Sequence, residues 1–520
     1  MIAQQEHTAL LGALALCGLD VLGEERFTGP WDVVALQEVP RHEWAMETNG
    51  VRGVYYSGLP YQGRATRVFA WLGIPLEGQS TEVPERSVAS PGFPPSGSPP
   101  TIPPVGGTPN ESPRTGLREV AGVPGMILLH GGGQHVSPLW VSYWVDRGYA
   151  AIAMDLDGYG PDGLLPDAGP RFQFKPFFGP FPSDDLREGW IYHAVANVMR
   201  AHSLLTAQPG VAADRIGLNG LSLGGSLVCL VAGVDARVRA AAPVYGAGFF
   251  DEGGYWQGHT QSMDCRRARE WEALLDPGAY LPGITCPVLF QNGATDPFTP
   301  PDTYQRNVDA CGGTPTLAMR DHLDHGDFWR WPWGENEVNL FLDHHLRDGP
   351  PPPTIRVVEE AEDHVVCTVT SSQPVVRVDL VHTTDLGAWQ SRSWQHTTLE
   401  VDPAHFTAVL PEGRPVWAMV MVRVALPADR HAWFSTRYFF RDTAGSPARI
   451  EIDRPIRSGD GLFISGRKPF GQRVLLEGSE DLCEWARLAA DATPTTDFTF
   501  AQPSGPDRRF YRVRRWELMQ

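Results

Sequence analysis

The sequence predicts an α/β fold, a doubly wound sheet over the first two thirds of the chain, followed by two small all-β, sandwich-like units. Three observations carry this. Short apolar runs that end in turns (126–129, 150–154, 287–290, 316–320) are separated by stretches of helical spacing, the pattern of strands joined by crossover helices. One apolar run, 216–218, feeds Gly220-Leu221-Ser222-Leu223-Gly224 and then a helix-like stretch. After Gly349-Pro350-Pro351-Pro352-Pro353 the helical spacing ends and short alternating segments take over. At 520 residues the chain exceeds what a single core organises, and the shifts in composition place units at 1–347, 354–445 and 446–520.

Charge and cysteines narrow the classes. Lys plus Arg number 43 against 61 Asp plus Glu, a net charge of −18, which argues against nucleic acid and anionic membrane as partners because both recruit basic patches. Seven scattered cysteines without a C-x-x-C suggest neither a disulfide framework nor a zinc site; Cys229 reads as a small core residue. No apolar run is long enough to span a bilayer. The apolar stretch 8–18 has no Lys or Arg before Arg26, and Leu16 is a poor residue before a processed Cys17. It is therefore expected to be a packed helix rather than a signal peptide, and the chain to be cytoplasmic.

Along the chain, 30–75 alternates apolar and polar residues, as in Val33-Val34-Ala35-Leu36 and Arg67-Val68-Phe69-Ala70-Trp71-Leu72, and is expected to form antiparallel strands. Residues 76–118 are rich in Pro, Ser, Gly and Thr and read as a surface excursion. Strand 126–129 runs into His130-Gly131-Gly132-Gly133-Gln134, where a glycine loop leaves backbone N–H groups to face a ligand. Between 171 and 181 lie five Phe among Pro and Gly, either a loop at the mouth of a site, with Phe177 and Phe178 touching substrate, or an aromatic domain contact. From 184 to 205, Trp190, Ala194, Val198, Ala201 and Leu205 recur at helical spacing, with Asp184 or Asp185 as N-cap.

The turn 220–224 carries the chemistry. A G-x-S-x-G turn between strand and helix holds the serine hydroxyl above the sheet, and its glycines allow the close approach of neighbouring backbone. Asp296 follows the strand at 287–290, and His325 follows that at 316–320. Taken alone, Asp296 beside prolines reads as a turn residue; taken with Ser222, His325 and the glycine loop it completes the order nucleophile, acid, base of the α/β-hydrolases. His322 is the alternative base. The run Phe328-Trp329-Arg330-Trp331-Pro332-Trp333 either stacks a sugar or aromatic ester, through Trp329 and Trp331, or packs beneath the next unit. From 354 to 445 about seven alternating segments suggest a β-sandwich, and 446–520 reads as another small all-β unit. Neither unit carries a catalytic constellation.

The segments 190–205, Asp214-Arg215-Ile216-Gly217-Leu218-Asn219-Gly220-Leu221-Ser222-Leu223-Gly224-Gly225, 231–248 and Asn292-Gly293-Ala294-Thr295-Asp296-Pro297-Phe298-Thr299-Pro300 resemble the acetyl xylan esterase/dienelactone hydrolase-like branch of the α/β-hydrolase superfamily, over about residues 120–347. The sandwich resembles accessory domains appended to such hydrolases, and the last unit resembles small secreted β-modules, which favours a secreted alternative. The resemblance implies Ser222 as nucleophile, Asp296 as acid and His325, in a His-Gly pair, as base. The N–H groups of Leu223, Gly132 and Gly133 would form the oxyanion hole, with no metal or organic cofactor. The expected function is hydrolysis of carboxylic esters of small molecules or carbohydrates. A prolyl oligopeptidase-type peptidase and a non-catalytic carbohydrate-binding protein are the rivals; the N-terminal part is too short for a β-propeller, and the intact constellation counts against the second.

Overall fold

The computed structural model describes residues 26–48, 50–75, 122–173, 185–263, 265–323, 325, 336–361, 363–385, 388–400, 405–412 and 416–441, and seven strand segments between 451 and 515. The expectations for the apolar stretch 8–18, the excursion 76–118, Phe177, Phe178, Trp329 and Trp331 lie outside the described residues.

Nine strands form one sheet: β1 His42–Thr48, β2 Val51–Ser57, β3 Arg67–Gly73, β4 Val123–Leu129, β5 Ala150–Met154, β6 Val211–Leu221, β7 Ala240–Val244, β8 Val288–Gly293 and β9 Pro315–Arg320. Their order is β1-β2-β3-β5-β4-β6-β7-β8-β9. The contacts from β1 to β5 are antiparallel, and those from β5 onward are parallel. The order reverses at β5-β4, and at such a reversal the loops beyond the carboxyl ends of the strands open a crevice. This is an α/β-hydrolase sheet with an antiparallel N-terminal edge.

Both faces of the sheet are covered, which is why its strands read as continuous apolar runs. Along β4 the side chains alternate between two cores. Ile127 and Leu129 join the core of helices α3 (Trp190–Thr206) and α4 (Leu223–Val234). Met126 and Leu128 join that of α2 (Pro138–Asp146) and α8 (Asn336–Arg347). Two local expectations need correction. Residues 33–36 are a helical turn, α1 (Val33–Leu36), because the Asp32 side chain accepts the Ala35 N–H at 3.1 Å and outweighs the β propensity of the valines. Asp185 caps a 3₁₀ turn, Leu186–Glu188, rather than α3 itself, which begins after extended Gly189 without a side-chain cap.

Beyond residue 350, strands β10 Thr354–Glu360, β11 His364–Thr370 and β14 Phe406–Val409 form a three-stranded sheet. Strands β12 Val375–Thr383, β13 Gln395–Thr398, β15 Val416–Leu426, β16 Arg430–Ser435 and β17 Phe439–Arg441 form a five-stranded one. Among the described residues eight strands therefore stand where about seven were expected. Further on, a four-stranded and a three-stranded sheet share a small core around Ile464, Val474, Leu476, Phe498 and Phe500. The two-sheet unit does not stand apart from the hydrolase sheet. Val338, Phe341 and Leu342 of α8 lie in the same buried cluster as Val365, Val378, Leu380 and Val416. The Met319 N–H of edge strand β9 donates to Ser435 Oγ of β16 at 3.0 Å.

Candidate active site

Ser222 ends β6 and opens α4 with φ 53° and ψ −120°. A non-glycine residue there stores about 1–3 kcal/mol of backbone strain. The surroundings enforce it. The Ser222 N–H donates to Val244 O at 2.8 Å and its carbonyl accepts the Ser226 N–H at 3.0 Å. A Cβ at Gly220 would lie 2.5 Å from Gly224 O, and one at Gly224 would collide with the carbonyls of Leu129 and His130. Both glycines are required by approach of backbone to backbone.

Asp296 and His325 lie beyond the ends of β8 and β9. Asp296, wholly buried, follows β8; its Oδ1 accepts the N–H groups of Phe298 and Thr299, each at 2.9 Å. His325 follows β9. Its Nδ1 lies 2.5 Å from Asp296 Oδ2 and its Nε2 2.8 Å from Ser222 Oγ. With a carboxylate at Nδ1, the ring proton sits there and the Nε2 lone pair faces the serine hydroxyl, as a general base requires. Tyr245 and Phe298 flank the imidazole with ring centroids 4.7 and 4.4 Å away. His322 is exposed; among the described residues it is His325, not His322, that joins Ser222 to Asp296.

The glycine loop lies against the nucleophile: a Cβ on Gly131 would sit 3.4 Å from Ser222 Cβ. Buried His130 sets its direction. His130 Nε2 accepts the Leu156 N–H at 2.8 Å, so the ring hydrogen is on Nδ1 and donates to Gly131 O at 2.8 Å. A trans peptide sends the following N–H, that of Gly132, the opposite way. The Gly131 N–H is taken by Gln134 Oε1 at 3.1 Å. Gly132 faces Leu223 and Phe172, with Leu223 Cδ2 3.3 Å from where its Cβ would be. Leu223 is the first residue of α4, where an N–H has no acceptor within the helix. Gly133 differs in kind: open space surrounds it, and only its φ of 69° calls for glycine.

Residues 185–311 match the Dienelactone hydrolase family. Over that stretch the chain is similar to this family of hydrolases. That match spans α3, the serine turn, Asp296 and all of α7 (Pro301–Ala310). A curated relative, the acetyl esterase Axe7A of Xylanibacter ruminicola, is 25% identical over 177 residues, 32% of this chain and 40% of the relative. The chain thus matches about two fifths of that relative's length. Among solved structures, the acetyl xylan esterase from Paenibacillus sp. R4 is similar at 17% identity and a TM-score of 0.43, covering 61% of this chain and 92% of its own. Acetyl xylan esterase 1 from Thermoanaerobacterium sp. JW/SL YS485 is similar at 16% identity and 0.41, covering 57% and 91%.

Other residues around the site carry no sequence signature. Tyr245, at φ 57°, and Phe298 wall the imidazole, and Phe298 continues through Tyr255 and Trp256 into an aromatic cluster with Phe250. Asp276 holds the start of that segment, accepting the N–H groups of Phe249 and Phe250 at 2.7 and 2.9 Å. Burial, aided by the Asp251 carboxylate, pushes its carboxyl up to about 7. Among the described residues no three His, Cys, Asp or Glu side chains group as a metal site would.

Proposed function

We propose that the chain is a serine carboxylic-ester hydrolase acting on small esters, with acetylated carbohydrates as the first natural substrates to test. The observation that carries this reading is the relay Ser222 Oγ to His325 Nε2 at 2.8 Å and His325 Nδ1 to Asp296 Oδ2 at 2.5 Å, set on a strained strand-to-helix turn. Ser222 attacks the ester carbonyl while its proton passes to His325 Nε2. Asp296 keeps the ring in the tautomer that can accept it and stabilises the imidazolium. The Leu223 and Gly132 N–H groups take the developing oxyanion; loss of one such donor lowers the rate by about 10²–10³-fold. The imidazolium then gives its proton to the leaving alkoxide, and water repeats the cycle on the acyl-enzyme.

The test is hydrolysis of p-nitrophenyl esters from acetate to decanoate by the wild type and Ser222→Ala. Turnover that peaks at short chains and disappears in the variant is the expected result. A folded wild type without turnover, or turnover that survives Ser222→Ala, overturns the reading.

A further inference from the structure

Among the described residues, a short segment, 389–396, joins the two-sheet unit to the loops that carry Asp296 and His325. The 3₁₀ turn Trp389–Ser391 presents the Trp389 indole N–H, which donates to the backbone carbonyl of Asp296 at 2.7 Å. Seven residues on, His396 Nε2 of β13 lies 2.9 Å from Asp321 Oδ2, at the start of the loop that carries His325. Between them, Arg392 is buried with its guanidinium 5.4 Å from the Trp417 ring, and Trp394 packs on the hydrolase core and near Tyr438. The Tyr438 N–H in turn donates to Gln305 Oε1 of α7 at 3.0 Å. The segment is thus anchored at its centre and touches the acid loop at one end and the base loop at the other.

The acid needs such a hold. Its carboxylate is braced by Phe298 and Thr299 of its own loop, which fixes the shape of the loop but not its position above the sheet. Position comes from the Ala294 N–H to Arg320 O at 2.7 Å, the Asp296 N–H to Gly293 O at 3.1 Å, the Tyr255 N–H to Phe298 O at 2.9 Å, and the Trp389 bond. We propose that segment 389–396 of the two-sheet unit is a positioning element of the active site, with Trp389 setting the Asp296 loop and His396 setting the loop that delivers His325. The unit then belongs to the catalytic apparatus of the hydrolase domain, in addition to any ligand it takes itself. Catalysis depends steeply on the placement of groups that touch no substrate.

This inference rests on the ester-hydrolase reading, and the experiment separates the two. In the full-length protein, Trp389→Phe keeps the ring and removes the donor. The expected result is a kcat for p-nitrophenyl acetate lowered about tenfold with KM within about twofold. Labelling of Ser222 by a fluorophosphonate should slow by a similar factor, and Trp389→His, which restores a ring N–H, should recover part of the rate. His396→Ala should shift kcat in the same direction by less. A folded Trp389→Phe with wild-type kcat and labelling rate overturns the positioning role while leaving the esterase reading intact. Equal loss of thermal stability, kcat and KM in Trp389→Phe, with no recovery in Trp389→His, also overturns it and marks the bond as domain attachment. A wild type that neither turns over esters nor labels at Ser222 overturns the function and this inference with it.

Discussion

Two parts of the same site are held by different kinds of structure. At the centre of the sheet, Ser222 is fixed by backbone packed on backbone: Gly220 on Gly224, Gly224 on the ends of β4, and the Ser222 N–H on Val244 O. At the edge of the sheet, Asp296 and His325 follow β8 and β9, and their loops take hydrogen bonds from Trp389 and His396, 93 and 75 residues further along the chain. The edge strand itself is covered by β16 through Ser435, and buried Glu337 ties the edge together. Glu337 accepts from Arg320 at 2.8 Å, from the Trp433 N–H at 2.5 Å and from Gln291 at 3.4 Å. The opposite edge, β1, is mostly exposed and is protected otherwise, by charged residues and a register shift between Trp44 and Glu47. The strand edge that carries the Asp296 and His325 loops is docked; the one that carries neither is only blunted.

The contrast can be broken most severely at the centre. Gly224→Ala leaves no soft side chain to move, since the Cβ meets main-chain carbonyls; we expect a loss of about 4 kcal/mol or failure to fold, read by urea denaturation. A Gly224→Ala protein of wild-type stability would show that the elbow has slack. At the docked edge, Glu337→Ala leaves Arg320, itself largely buried, without its carboxylate and should lose about 3 kcal/mol. Glu337→Gln, which keeps an acceptor for Trp433, should lose less. Equal effects of the two substitutions would mean that the charge, not the hydrogen bonds, holds the edge.

Acid gives the smallest effect and compares the two regions directly. Burial pushes His193, on central helix α3, down to about 4, and burial together with His344 pushes His345, on edge helix α8, to about 4 as well. Unfolded, both ionise near 6.5. Between pH 6.5 and 4 the unfolded chain therefore binds protons that the folded chain does not, so stability is full above 6.5 and falls as pH drops through that window. The expected loss is about 1–3 kcal/mol per imidazole, smaller for half-buried His345. Urea melts at pH 7 and pH 5 on His193→Gln and His345→Gln should each remove part of the slope. No change in either variant would place the acid sensitivity elsewhere.

The legible parts of the site are those where chemistry forces a residue type at a fixed spacing. Gly220, Ser222 and Gly224 are visible because a strained turn against main chain admits only those residues. His130, Gly131 and Gly132 are visible because a loop that bares N–H groups needs glycine, although the role of His130 in turning the Gly131 peptide is not. Asp296 and His325 are found by their order after strands. Residues 33–36 show the limit: four apolar residues, two of them β-favouring valines, read as a strand until the Asp32 cap is seen to close a helical turn. Tyr245, Phe298, Trp389 and His396 have no signature at all, because an aromatic in a loop or an imidazole on a strand satisfies many environments equally well.

The sequence by itself determined the α/β-hydrolase sheet, the change to β-structure after residue 350, and the order of Ser222, Asp296 and His325 after their strands, since each follows from periodicity, turn chemistry or steric necessity along a short stretch of chain. Only the tertiary structure decided which histidine faces Ser222, how the Gly131 peptide is turned by His130, and that a segment of the β unit touches both the Asp296 and the His325 loops. Those choices depend on contacts between residues tens to hundreds of positions apart, where geometry rather than residue type selects the partner.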